Sequence, residues 1–283
     1  MLQSILKSIP GISESLGREP TMITSRQNSK IKQIKKLNAG AKFRSQSGRF
    51  IAEGIRLLEE AHQAQIKPEW VIYTESLDKR AEQLLENFRS QGVLCDPVTP
   101  EVMEAASDTR TPQGVLGVFQ LVSLPLPPLP NLLFILDSLR DPGNLGTLMR
   151  TSLAAGADGI LLGPGCVDPF SPKVVRSGMG AHFKLPIINT DWSEIETLTS
   201  EMLLLLAEME NGVSLWDTDL TDRVGIILGS EAHGPGEEAR NLAQQSIFIP
   251  INPEIESLNA AAAGAILLFE VKRQRSLTDH PHH

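Results

Sequence analysis

Cysteine is scarce: Cys95 and Cys166 are the only two in 283 residues, and they are far apart. Two distant thiols exclude a disulfide framework, and no C-x-x-C pair offers a structural zinc site. That usage fits a reducing cytosol, so the chain is expected to be cytoplasmic. Long apolar runs are missing too. None reaches the roughly 18 residues that cross a membrane. The apolar part of the opening stretch, residues 1–21, is too short and interrupted for a signal peptide, and its Pro, Gly and Ser content reads as a flexible extension. Several chemistry-bearing motifs are also absent. The dinucleotide fingerprint fails because "GPGCVD" has Asp168 where a third glycine belongs. The phosphate-binding loop fails because "GSEAHGPG" has the glycines but no lysine, and no G-x-S-x-G elbow occurs. His62, His182 and His233 show no ligand spacing, so no metal is expected.

The composition that remains is that of an ordinary globular protein, 41% hydrophobic and 21% charged. The net charge is −8, but it is unevenly placed. Residues 24–56 hold nine basic side chains and one acid, Glu53, a local charge of +8; the rest of the chain carries 17 basic and 33 acidic residues, a charge of −16. Such a patch is either a solvated helix face or an electrostatic footprint for phosphate.

The pattern along the chain alternates strands and helices, which predicts an α/β fold. "TSRQNSKIKQIKKLNAG" reads as a helix capped by Asn28 or Ser25, with Ile31, Ile34 and Leu37 as its apolar stripe and Gly40 at its end. Strand and helix signals then alternate to Val122. "SLPLPPLPN" interrupts them with the densest proline cluster in the chain, a semi-rigid linker by composition. The expected division is therefore an extension over 1–21, a smaller α/β domain over 22–122, a linker over 123–130, a larger domain over 131–275 and a disordered tail over 276–283. In the larger domain the strands "LLFILD", "GILLG", "MLLLLAE" and "VGIILG" are continuously apolar. That predicts a parallel sheet covered on both faces.

In open α/β sheets, ligands sit beyond the carboxyl ends of the strands. Three loops there are rich in Gly or Pro and carry a few polar side chains: "LRDPGNLGTLMR", "ILGSEAHGPG" and "IPINPEIESLN". In the first, Arg150 is expected to face the same way as the loop that bears Asn144. Helix capping accounts equally well for Asn144 at the start of the first helix and for Ser257 at the start of the last. A surface ion pair would account for Arg150.

Together, in this order, the three loops resemble the motifs of the SpoU family of RNA ribose 2′-O-methyltransferases, α/β-knot proteins of the SPOUT superfamily. The match runs over Asp141-Pro142-Gly143-Asn144-Leu145-Gly146-Thr147 with Arg150, then Leu228-Gly229-Ser230-Glu231 with Gly234, then Ile249-Pro250-Ile251 with Ser257-Leu258-Asn259. Where this family usually has a β-branched residue and a serine after that last Asn, the chain has Ala260 and Ala261.

The resemblance implies S-adenosylmethionine as cofactor, held by Leu228, Gly229, Ser230, Ile249, Ile251 and Leu258. It implies that Asn144, Arg150, Glu231, Ser257 and Asn259 serve the chemistry. It further implies a knotted C-terminal segment, a homodimer built partly on the bare "AAAAGA" helix, and an RNA substrate, ribosomal RNA ahead of transfer RNA. Residues 24–122 resemble the substrate-binding domain that often precedes the methyltransferase domain. Arg26, Lys30, Lys32, Lys35, Lys36, Lys42 and Arg44 are the expected RNA contacts. The alternative functions are a transfer RNA methyltransferase and a non-catalytic RNA-binding assembly factor.

Overall fold

The computed structural model describes residues 21–209, 212–230 and 234–279. The expected extension over 1–21 and Glu231 therefore lie almost wholly or wholly outside the described residues. The chain divides into two compact units between Gln120 and Leu121.

The first unit runs α1 (Ser29–Ala39), α2 (Ala41–Ser47), β1 (Arg49–Glu53), α3 (Ile55–Gln63), β2 (Trp70–Tyr73), α4 (Lys79–Ser90), β3 (Leu94–Pro97), α5 (Pro100–Ala106) and β4 (Val115–Gln120). The strands form one sheet in the order β1-β4-β2-β3. β4 is antiparallel to both neighbours, and β2 and β3 are parallel. Asn28 caps α1 by accepting from the Lys30 N–H at 2.9 Å, and the stripe of Ile31, Ile34 and Leu37 is wholly buried. These three pack with Ile51, Trp70, Ile72, Leu116 and Val118 on one face of the sheet. α2 has no counterpart in the sequence reading. It is a seven-residue helix between Gly40 and Gly48, where Gly48 takes the left-handed φ of +63° that ends it.

The second unit runs β5 (Leu132–Leu136), α6 (Pro142–Ala155), β6 (Gly159–Leu162), α7 (Pro172–Gly178), β7 (Ile187–Asn189), α8 (Trp192–Leu198), β8 (Leu203–Ala207), β9 (Val213–Ser214), β10 (Val224–Leu228), α9 (Glu237–Leu242), β11 (Gln245–Phe248) and α10 (Ala260–Asp279). Its seven strands lie in the order β7-β6-β5-β10-β8-β11-β9, and every pairing is parallel. Alternate residues of β5, β6, β8 and β10 enter opposite cores. Leu132, Phe134 and Leu136 of β5 pack with residues of α6, α7 and α10. Leu133 and Ile135 pack with Ile195 of α8 and Ala239 of α9. Helices on both faces explain why the strands read as unbroken apolar runs. Leu126 of the proline-rich segment also packs against this second core, so that stretch is anchored on the second unit.

α10 continues to Asp279, so residues 276–279 of the expected disordered tail are helical, because no helix breaker stands before Pro281. Its far half holds the segment between β9 and β10. Gln274 accepts from the Leu220 N–H at 2.9 Å and donates to the Thr218 carbonyl at 3.0 Å. Arg275 donates to the carbonyls of Leu220, Asp222 and Asn131. No helix of the described residues is long and apolar enough to cross a membrane.

Candidate functional site

The site grows from the carboxyl ends of β5 and β10, which are adjacent in the sheet, and from the segment that follows β11. After β5, "DPGN" opens α6. Asp141 is the cap: its Oδ1 accepts the Asn144 N–H at 2.7 Å, and Pro142 takes the first helical position, where no N–H is needed. Capping is therefore the work of Asp141, and Asn144 sits inside the first turn of α6. Gly146 has a packing role. A Cβ there would lie 1.9 Å from Ser177 Oγ, so only glycine lets α7 come this close.

Asn144 meets the third loop. Asn259 Nδ2 donates to Asn144 Oδ1 at 3.1 Å. Asn259 is also the cap of α10, its Oδ1 accepting from the N–H groups of Ala261 at 2.9 Å and Ala262 at 3.3 Å. The expected cap, Ser257, is exposed two residues earlier, and its hydroxyl has no hydrogen bond among the described residues.

Arg150 makes no hydrogen bond to this pair. Along α6 it lies about 9 Å of rise beyond Asn144, seven residues and two turns on from Gly143 of the same loop. Arg150 shares an exposed stripe with Thr147 and Ala154, and it has no hydrogen bond or ion pair among the described residues.

At the end of β10, Leu228 is buried and Gly229 carries the chain into a tight return. Ser230 and Gly234 exchange backbone hydrogen bonds at 3.1 and 2.9 Å, and Ser230 Oγ donates to the Gly234 carbonyl at 3.3 Å. A Cβ on Gly229 would stand 2.2 Å from the Pro235 nitrogen, so glycine is required by the loop folding onto itself. The Asp137 carboxylate braces this loop from β5. It is 4% exposed and accepts the Gly236 N–H at 2.6 Å through Oδ2 and the Ser138 hydroxyl at 3.1 Å through Oδ1. Sequence reading passed over Asp137, although an acid directly after five apolar strand residues is a visible signal. After β11, Ile249, Ile251 and Leu258 are half-buried, and no hydrogen bond satisfies their backbone N–H groups among the described residues. Open backbone donors beside apolar side chains form a surface able to take a flat, polar-edged ligand.

In the first unit, Arg26, Lys32, Lys35, Lys36 and Lys42 are exposed, and the Lys36 ammonium lies 5.6 Å from the Phe43 ring. Two other expected RNA contacts have internal partners. Lys30 pairs with Asp96 and lies 5.1 Å from the centre of the Trp70 ring. Arg44 is 5% exposed and donates to the Leu37 carbonyl and, at 3.4 Å, to that of Asn38. Arg44 thus satisfies the open carbonyls at the end of α1, and burial removes it from the RNA-facing set.

Residues 131–269 match the SpoU rRNA Methylase family, and residues 28–117 match the MRM3-like substrate binding domain. An uncharacterised tRNA/rRNA methyltransferase of Synechocystis is 33% identical, over 92% of this chain and 96% of that protein. The Bacillus subtilis 23S rRNA (guanosine(2553)-2′-O)-methyltransferase is 31% identical, over 88% of this chain and 98% of its own length. The crystal structure of an AdoMet-bound rRNA methyltransferase from Sinorhizobium meliloti superposes with a TM-score of 0.81 at 31% identity, covering 89% of this chain and 97% of that one. With both domains matched and the first and third motif loops joined through Asn144 and Asn259, the chain belongs to the SpoU rRNA methylase family.

Proposed function

We propose that the chain transfers the methyl group of S-adenosylmethionine to a ribose 2′-hydroxyl of ribosomal RNA, and that it does so as a cytoplasmic homodimer. The observation that carries this reading is the Asn259–Asn144 hydrogen bond, which joins the start of α10 to the start of α6 beside the loop at the end of β10. The relatives support the choice of RNA: the B. subtilis protein is named for 23S ribosomal RNA, and the Synechocystis one for transfer or ribosomal RNA. The free thiols of Cys95 and Cys166 suit a reducing compartment. Phe269, 46% exposed on α10, offers apolar surface to a second copy of that helix.

The residues present fit the cofactor. The half-buried Ile249, Ile251 and Leu258 supply apolar contact and open backbone N–H groups, and the Leu228-Gly229-Ser230 turn adds polar backbone at the neighbouring strand end. When bound, S-adenosylmethionine supplies an electrophilic methyl on a sulfonium. The chain's own task is to hold the ribose in line and let the hydroxyl proton leave; positioning alone can contribute on the order of 7–11 kcal/mol. Arg150 is not the base, because a guanidinium stays protonated in proteins. It grips the phosphate beside the reacting ribose, for which its planar fork is suited. Asn144, held by Asn259, orients the ribose, with the exposed Ser257 beside it on the approach to α10; Glu231 is assigned to the chemistry by its place in the second motif alone. In the first unit, Arg26, Lys32, Lys35, Lys36 and Lys42 contact RNA phosphates. Incubation with S-adenosylmethionine and separate ribosomal and transfer RNA pools, followed by mass measurement of nucleosides, tests this. Ribose methylation of ribosomal RNA is expected; a base-methylated product or none overturns it.

A further inference from the structure

Asp137 is a buried carboxylate to which the family motifs give no role, and its contacts reach three neighbouring strand ends. It stands directly after β5, and its own N–H donates to the Leu228 carbonyl at the end of β10 at 2.9 Å. Its Oδ2 takes the Gly236 N–H, on the returning arm of the loop that leaves β10. Its Oδ1 takes the hydroxyl of Ser138, a residue held at a left-handed φ of +56°. That same hydroxyl lies 3.1 Å from the Pro164 carbonyl in the loop after β6. A buried carboxylate that accepts a backbone N–H is a strong, directional anchor.

We propose that Asp137 is a positioning residue for methyl transfer: through the Gly236 N–H it sets where Gly229 and Ser230 present themselves to the methyl donor. This rests on the S-adenosylmethionine reading above. Ser230 and Gly234 hold each other through two backbone hydrogen bonds, and the Asp137–Gly236 contact ties that bridge to the end of β5. Loss of that contact leaves the fold of the sheet in place and lets the Ser230–Gly234 bridge, and Gly229 with it, shift from the end of β5.

The test compares Asp137→Asn, Asp137→Ala and Gly236→Pro with the native full chain, measuring S-adenosylmethionine affinity by calorimetry, steady-state kinetics on RNA, and thermal melting. Asn keeps an oxygen to accept from Gly236. Proline at 236 removes the donor and sets a ring carbon against Asp137 Oδ2, so it breaks the same contact from the other side, while the φ of −73° there suits its ring. Asp137→Ala and Gly236→Pro should each weaken cofactor binding about tenfold and raise KM for the cofactor more than they lower kcat, while Asp137→Asn stays within about threefold of native. The two damaging changes combined should be no worse than either alone. Native affinity in folded Asp137→Ala and Gly236→Pro proteins overturns the proposal. So does loss of folding in both, which makes the carboxylate structural only. A native chain that binds no S-adenosylmethionine would instead bring down the functional reading itself.

Discussion

Asn259 fastens its side chain to that of Asn144 at 3.1 Å across 115 positions of sequence, and the same side chain starts α10 by capping it. One amide thus does two separable jobs. Serine is as good a cap as asparagine, but its hydroxyl is too short to reach Asn144. Asn259→Ser should therefore leave stability within about 0.5 kcal/mol and lower methyl transfer by up to about tenfold, the worth of one hydrogen bond. Asn259→Ala should lower transfer as much and also cost about 1 kcal/mol of stability. Urea melts beside methylation rates separate the two; a fully active Ser variant would show that the cross-link has no catalytic consequence.

Arg150 is exposed and without a partner among the described residues. Its removal should change stability by no more than about 0.5 kcal/mol. Methyl transfer should nonetheless fall on the order of 100-fold in Arg150→Ala, with cofactor affinity intact. Arg150→Lys should recover little, since an ammonium lacks the planar fork. If calorimetry showed cofactor binding lost along with activity, the role assigned to Arg150 would be wrong.

The basic segment divides into surface and internal charge. Replacing Lys32, Lys35 and Lys36 with alanine should weaken RNA binding and reduce its logarithmic salt dependence by about 2, at roughly 0.7 per phosphate contact on single strands. Arg44→Ala should behave differently, lowering stability by about 2 kcal/mol through unsatisfied carbonyls at the end of α1 while leaving the salt slope alone. Binding across a salt series decides both. An unchanged slope in the triple variant would mean that those lysines face only water.

His182 is fully buried and donates through Nε2 to the Pro169 carbonyl, 2.7 Å away. Burial pushes its imidazole down to about 4 from the ordinary 6.5, against a smaller opposing pull from that carbonyl. The folded state therefore keeps the ring neutral over a range where the unfolded chain binds a proton. Stability should be fully present above about pH 6.5 and fall as pH drops toward 4, by about 2 kcal/mol at pH 5. His182→Gln should lose less between pH 7 and 5 than the native chain does in denaturant melts. Equal losses would rule out His182 as the source.

What could be read before folding was what repeats along the chain. The Ile31, Ile34 and Leu37 stripe and the unbroken apolar strands of the second unit carry their burial in their spacing. The two-residue β9 and the seven-residue α2 do not, being too short to establish a period. Arg44 looks like its surface neighbours until α2 turns it back onto the carbonyls of α1. The Asn144–Asn259 pair was reachable only through resemblance to known motifs, because a contact across 115 positions leaves no local trace. Nothing in the spacing of "ESLNA" told Asn259 from Ser257 as the cap; the path of the incoming loop decides it.

The strand order has a consequence for synthesis. β10 lies between β5 and β8, so Leu132 of β5 waits for Val224, 92 residues later, before its ladder is complete. At about 5–20 residues per second, a ribosome takes roughly 5–20 s to cover that interval. During that time "LLFIL" has an open edge and two sticky faces, and a nascent chain in this state is a natural client for chaperones that shield unpaired strands.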